Sequence, residues 1–414
     1  MSFYTIPISY VPAQDTNVDY VFKLTEITIA KLTAPEQVAF WSDLSADGGN
    51  LRLFADAGKV TGLPVEVVIV DAGAQILEIW ARLNSPLLAS GGQNIYLETI
   101  VTGDPVLSGV SSPLGKYAVW SDYALVAHLV VDGRDSTNNY TFSAGSDEAP
   151  TFSRALGMTM NNSRPRYFKR AAGELIEKFN YTFTMDLNIV SVVEANINGI
   201  VLDRTGDGLP IISGESTPRS FSRLVIAIQQ GPPCSPPTPV TPSLRGLFFG
   251  GYGPAFAGFD ENGSLKYENT TTLAGELKDE AYRAAGESLL MSGSYDITED
   301  PVIYSGFLGE WRFYRDGVQT GFNTTFLNRP YPRSRINDNS FTLSANNCEW
   351  SLKEWHIRNV TLNAAYEAAQ QVNRNDEANF FGLATVEPVN PPDPPEPPLP
   401  PGPPPTSDQD IQAW

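Results

Sequence analysis

The 414 residues carry 28 basic against 47 acidic side chains, a net charge of −19, with 34 Gly, 33 Pro and only 2 Cys and 2 His. So acidic a chain lacks the Lys and Arg excess by which nucleic-acid binders displace counterions, and anionic membranes are disfavoured as partners for the same reason. A hydrophobic fraction of 42 % and an aromatic fraction of 11 % exclude disorder for most of the length, which suits two or three domains. Cys234 and Cys348 cannot frame a disulfide scaffold, and with two histidines they lack zinc spacing; one disulfide or two reduced thiols both remain open.

In chain order, the first stretch, Met1 to Asn17, is apolar and aromatic through Phe3, Tyr4, Ile6, Ile8 and Tyr10. It reads as a first strand or as an arm that docks on another subunit. It lacks a basic region followed by an apolar one, so no secretory leader is expected, and no apolar run is long enough for a membrane span. Strand-like runs follow at Phe22–Ile29, Leu63–Val70, Glu78–Leu83, Asn94–Thr99 and Ser340–Ala345. They are separated by turn chemistry such as Asp47-Gly48-Gly49-Asn50, Asp132-Gly133 and Asp316-Gly317. Many short strands without alternating long helices predict an all-β chain of antiparallel sandwiches or barrels. Asn363 to Val372 has the composition of a helix, capped by Thr361 or Asn363. The island Gly231–Pro239 reads as a surface loop inserted within one domain. From Pro388 to Pro405 most positions are proline, which fixes φ and removes donors, so this stretch should extend as polyproline II. Beyond it, Thr406 to Trp414 reads either as a docking peptide anchored by Ile411 and Trp414 or as an acidic solubilising tail.

Asp47–Leu53, Leu63–Val68, Leu77–Leu83 and Tyr117–Trp120 together resemble an uncharacterised bacterial and phage β-domain that commonly precedes a concanavalin-A-like, laminin-G-type jelly roll. Ala127-His128-Leu129 followed by Asp132–Asn139 resembles the hand-over between the two. Leu308–Val318 is similar to a laminin-G hairpin, and Trp355–Val360 with the following Ala-rich helix resembles the last strand and exit helix of such domains. Asn50 and Asn138 depart from the family, which usually has Asp and Gly there. The resemblance implies two antiparallel β-sandwich (jelly-roll) domains, the second concanavalin-A-like, with a short C-terminal helix and a Pro-rich extended tail. The divisions are an arm at 1–20, a first sandwich at 21–124, the concanavalin-A-like domain at 125–386, a polyproline linker at 387–405 and a docking peptide at 406–414.

That fold hosts lectins and glycoside hydrolases alike, so residues must decide. Hydrolases on it need paired carboxylates alternating along one strand; the nearest cluster, Glu276 to Glu280, has helical composition instead. His128 and His356 lie in apolar strand-like contexts, where a structural histidine competes with a catalytic base. Sugar binding needs exposed aromatics and planar polar groups on loops. The loops Gly250–Phe259 and Asn328–Arg333 offer Tyr252, Phe256, Tyr331 and Arg333, unless those aromatics fold back onto the core. Asp132, Asp135 and Asn138 have the spacing of oxygen ligands for Ca2+, the only cofactor considered, or form a turn that satisfies its own backbone. The expectation is a non-enzymatic phage virion subunit (tail fibre, tail tip or head fibre) present in multiple copies. Its partners are a host-surface glycan and, through the C-terminal tail, other virion proteins. A polysaccharide-degrading enzyme and a purely architectural decoration protein are the alternatives.

Overall fold

The computed structural model describes residues 2–100, 113–139, 142–144, 150–160, 168–170, 181–192, 197–205, 221–229, 243–251, 255–259, 265–268, 276–277, 288–300, 306–327, 342–345, 348–383 and 385–386. Every strand pairing is antiparallel, as alternating short strands dictate, and the chain is all-β with a few short helices.

The first strand, Ser2–Pro7, is part of the fold and not a free arm. It runs antiparallel to Asn94–Thr99, with Tyr4 opposite Leu97, and on its other edge to Thr385–Val386. Tyr4, Ile6 and Ile8 alternate inward and are almost fully buried, the period of a half-covered strand. A second, three-stranded sheet joins Val21–Thr25, Ile76–Arg82 and Val65–Asp71. The run Phe22–Ile29 is not one strand: Thr25 caps a helical turn, Glu26–Ile29, by accepting from the Ile27 N–H. The helix Ala34–Asp43 went unread in the sequence, although Thr33 and Glu36 form a capping box with Pro35 in the first turn.

The core of this body draws on both halves of the chain. Tyr4, Phe22, Leu24, Phe40 and Ile79 pack in one cluster with Leu362, Tyr366, Ala369, Phe380 and Phe381. Each such side chain contributes roughly 1.5–3 kcal/mol on burial, so the C-terminal segment is structural to the first domain. It arrives as the helix Ala364–Asn375, capped by the Asn363 side chain accepting from the Tyr366 N–H, then the short helix Glu377–Phe380. Residues 362–381 therefore pack into the N-terminal body, and Thr385–Val386 pairs with its first strand.

Between these halves the chain leaves through the outgoing strand Tyr123–His128 and comes back through the return strand Cys348–Arg358, the two paired with His128 opposite Glu354. The return strand belongs to an eight-stranded sheet with Tyr181–Val192, Ser288–Asp300, Gly306–Arg315 and Val318–Leu327. A seven-stranded sheet includes Ile197–Thr205, Phe221–Gln229 and Ser243–Gly251. Glu276–Leu277 is a two-residue strand on its edge, not a helix. Cys348 opens the return strand, whereas Cys234 and the Pro-rich island lie outside the described residues.

The hairpin Gly306–Arg315/Val318–Leu327 turns at Asp316 and Gly317, with φ of 48° and 75°, the two positive values of a type I′ turn. This tip rests on the helix Ala364–Asn375: a Cβ on Gly317 would lie 2.8 Å from Ala368 Cα and 3.0 Å from the Glu367 carbonyl. Beside it, Ser292 Oγ donates to the buried Glu367 carboxylate at 2.5 Å. Gly317→Ala combines backbone strain with a clash against helix backbone. It is expected to destabilise the protein by roughly 1–3 kcal/mol, read as a lower denaturant midpoint.

Candidate functional site

Period-two side-chain geometry places Glu354 and His356 on one face of the return strand, and the register brings His128 opposite Glu354. Glu66 from Val65–Asp71 and Arg374 from the long helix complete a cluster in which each of the five residues is at least nine-tenths buried. His128 Nδ1 lies 2.8 Å from Glu354 Oε2 and His128 Nε2 lies 3.1 Å from Glu66 Oε2. His356 Nε2 meets the same Glu354 oxygen at 2.9 Å, and Arg374 Nη2 lies 3.0 Å from His356 Nδ1. Ser136 Oγ donates to Glu66 Oε1 at 2.6 Å, and the Trp120 indole N–H donates to Glu66 Oε2. Trp80 and Trp120 wall the two imidazoles at ring-centroid distances of 5.3–5.5 Å, and the Arg374 guanidinium sits 5.0 Å over the Trp80 ring.

These contacts fix the protons. A guanidinium only donates, so His356 Nδ1 accepts and its single proton sits on Nε2, directed at Glu354. Burial and the neighbouring Arg374 charge push the His356 pKa down to about 3, keeping that ring neutral. His128 donates from both nitrogens to two carboxylates. Burial alone would depress its pKa, but Glu354 and Glu66 overcome this and push it up to about 10. Burial would likewise raise Glu354, yet His128 holds its carboxyl well below the usual range. The cluster thus holds two carboxylates, one imidazolium and one guanidinium, a charge-balanced set.

His128, Glu354 and His356 converge closely enough to be considered as metal ligands, with ligand atoms within 4.8 Å of one another. The donor set does not fit a cation. Both nitrogens facing Glu354 carry protons, and stripping His356 Nε2 would leave a ring that accepts from Arg374 with no proton at all. The sequence placed both histidines correctly in strands but offered no sign of their partners.

The turn after the outgoing strand is held by its own backbone. Asp135 accepts from the N–H groups of Val126, Thr137 and Asn139 at 2.9–3.0 Å and from Thr137 Oγ1 at 2.6 Å. Asp132 accepts from the N–H and Nε of Arg134. Asn138 stands at φ 60°, the conformation for which a family glycine would be suited. These contacts are those of a turn that satisfies its own backbone, the alternative to a Ca2+ site at Asp132, Asp135 and Asn138. Asn50 donates to the carbonyls of Asp43 and Ile100 and accepts from the Ser45 N–H, two donations an Asp could not make.

Of the expected sugar-contacting residues, Phe256 lies in a strand, Ala255–Phe259, opposite Tyr267, and not in an irregular loop. Tyr252, Tyr331, Arg333, Ile411 and Trp414 lie outside the described residues, as does the polyproline stretch.

No protein-family profile matches the sequence, and no curated protein matches it. Solved structures align with part of the chain at low scores. The botulinum neurotoxin serotype C1 binding domain aligns with a TM-score of 0.36 and 8 % identity over 62 % of this chain and 53 % of its own. The type G receptor-binding domain gives 0.32 and 14 % over 60 % and 51 %. Domain 4 of AbnA, a GH43 extracellular arabinanase from Geobacillus stearothermophilus solved with arabinotriose, gives 0.34 and 13 % over 60 % of this chain and 98 % of its own. The matches cover about half of the neurotoxin domains, and at these scores they bear on neither ligand nor activity.

The sign of the pH dependence follows from the proton assignments. The raised His128 pKa contributes stability that is complete below its ordinary 6.5 and is lost as pH rises through about 10. The depressed His356 pKa contributes stability that is present above 6.5 and is lost as pH falls towards 3; Glu354 adds to that acid limb below its ordinary 4.5. Glu367, which burial pushes up to about 7, loses its contribution between 4.5 and 7, so the His128 contribution is read between 7 and 10 as the difference between wild type and a His128 variant. Chemical denaturation across that window should show wild-type stability falling with pH. His128→Gln should flatten the slope and start lower by roughly 3–5 kcal/mol, because two buried carboxylates lose their cation.

Proposed function

We propose that the chain is a non-enzymatic attachment subunit of a phage virion, in which a closed base displays a glycan-binding β-sandwich and the Pro-rich stretch reaches into a neighbouring virion protein. The observation that carries this reading is the path of the chain. The base is closed by its own two ends, Ser2–Pro7 pairing with Thr385–Val386, and the strands that leave for the sandwich and return from it are neighbours. A domain inserted in this way is held at both ends, so a load on the sandwich passes into the base through paired strands. In sequence the Pro-rich stretch follows the closing strand, and a chain of that composition favours a semi-rigid spacer.

The commitment of both histidines to a buried charge network supports the non-enzymatic part of the reading, because it removes the usual general base. The glycan part rests on the aromatic loop residues Tyr252 and Tyr331. Three experiments test the reading and separate the alternatives. Incubation with host capsule or lipopolysaccharide should release no new reducing ends, whereas sustained turnover would establish a polysaccharide-degrading enzyme. A chain ending at Val389 should melt at the wild-type temperature yet fail to join the particle; undiminished incorporation would refute the tether. Tyr252→Ala and Tyr331→Ala should weaken host-cell binding, and normal binding by both would remove those loops from the site.

A further inference from the structure

A cleft of about 380 Å³ opens where the base meets the sandwich. The mid-strand positions Glu78 and Glu354, at 5 % and 4 % exposure, are two of its buried acids, beside Asp186 and Glu377. Each uses only one of its oxygens within the protein. Glu78 Oε1 is 3.4 Å from the Trp80 indole nitrogen, and Glu354 Oε2 takes both imidazole protons. Glu78 Oε2 and Glu354 Oε1 have no hydrogen-bond partner among the described residues, and both side chains line the cleft. Neither oxygen is sealed from solvent, so each stands on the cleft wall as an acceptor open to a ligand that brings its own donors. Burial raises the Glu78 pKa, as expected for a carboxyl short of partners.

The remaining lining decides what kind of ligand fits. Glu26 is paired with Arg154 at 2.6 Å, and Glu377 accepts from Thr25 and Thr28, so neither is available. Lys23 and Lys353 bring ammonium donors, while Ile27, Val130 and Ala155 give apolar surface. A free cation would meet both lysines and Arg374, and a free anion would meet Glu78, Glu354 and Asp186. A neutral molecule bearing several hydroxyls satisfies both sets, since each hydroxyl donates and accepts, and its C–H face can lie on the apolar wall. We propose that this cleft binds one neutral saccharide residue, with Glu78 Oε2 and Glu354 Oε1 accepting from its hydroxyls and Lys23 and Lys353 donating to them. The proposal rests on the glycan-binding reading and gives it a site separate from the aromatic loops.

The test uses the full chain, titrated calorimetrically and by saturation-transfer NMR with glucose, galactose, mannose and N-acetylglucosamine, alongside host-cell binding. Two variants probe the cleft. Glu78→Gln exchanges an acceptor for a donor at constant shape, and Ala155→Trp overhangs the opening from an exposed position with little risk to folding. At least one sugar should bind saturably, with both variants weaker by about tenfold or more at an unchanged melting temperature. Wild-type affinity in both variants would place sugar binding elsewhere and overturn the cleft while leaving the glycan reading intact. Host-cell attachment without binding of any of the four sugars would do the same. Cleft binding that survives while host cells are not bound would instead sink the attachment function alone.

Discussion

The structure depends on one buried imidazolium. His128 lies between Glu354 and Glu66, and these residues come from three strands that the sequence keeps far apart. Desolvating an isolated carboxylate is costly, and two of them together would not stay ionised in this interior without the cation between them. Arg374 then holds His356 neutral from the other side, so the cluster closes with balanced charge. Such a network adds little net stability compared with a well-packed apolar core, but it punishes any other arrangement. Slipping the outgoing strand by one residue against the return strand would turn His128 to the opposite face and leave both carboxylates without their cation.

That constraint explains how a long insertion can be carried by a small base. The strands that leave and return are fixed in register by His128 and Glu354 at one end of their ladder. At the other end, Arg358 binds Asp122 through Nε and Nη2 and the Asp19 carbonyl through Nη2, while Arg82 shares the same aspartate. The hairpin tip at Asp316 and Gly317 and the Ser292 to Glu367 bond add further ties to the long helix. Base and sheet are therefore joined by specific polar contacts on several elements as well as by the chain itself.

Much of the fold was legible because local rules and tertiary structure agree. The alternation of Tyr4, Ile6 and Ile8, the Asn363 cap and the Asp316-Gly317 turn each carry their structure within a few residues. Thr33 to Glu36 was equally legible as a capping box, and its helix was missed only because the surrounding pattern reads as β. The division into domains was not readable, since the contacts that place Tyr366, Phe380 and Phe381 against Phe22 and Tyr20 span more than three hundred positions. The same holds for the cluster. His128 lies 226 positions from Glu354 and 62 from Glu66, and no local pattern links a histidine in an apolar strand to carboxylates at those distances. Asp132 and Asp135 show the converse case: an oxygen-rich spacing that suits a cation also suits a turn held by its own N–H groups.

The central claim concerns protons, and the chain's two histidines make it directly observable. Nitrogen-15 NMR of histidine-labelled protein at pH 8 should show one imidazole protonated on both nitrogens, assigned to His128 by its loss in His128→Gln. The other should be neutral and protonated on Nε2 alone. Two neutral rings at that pH, or a His128 that titrates near 6.5, would contradict the account.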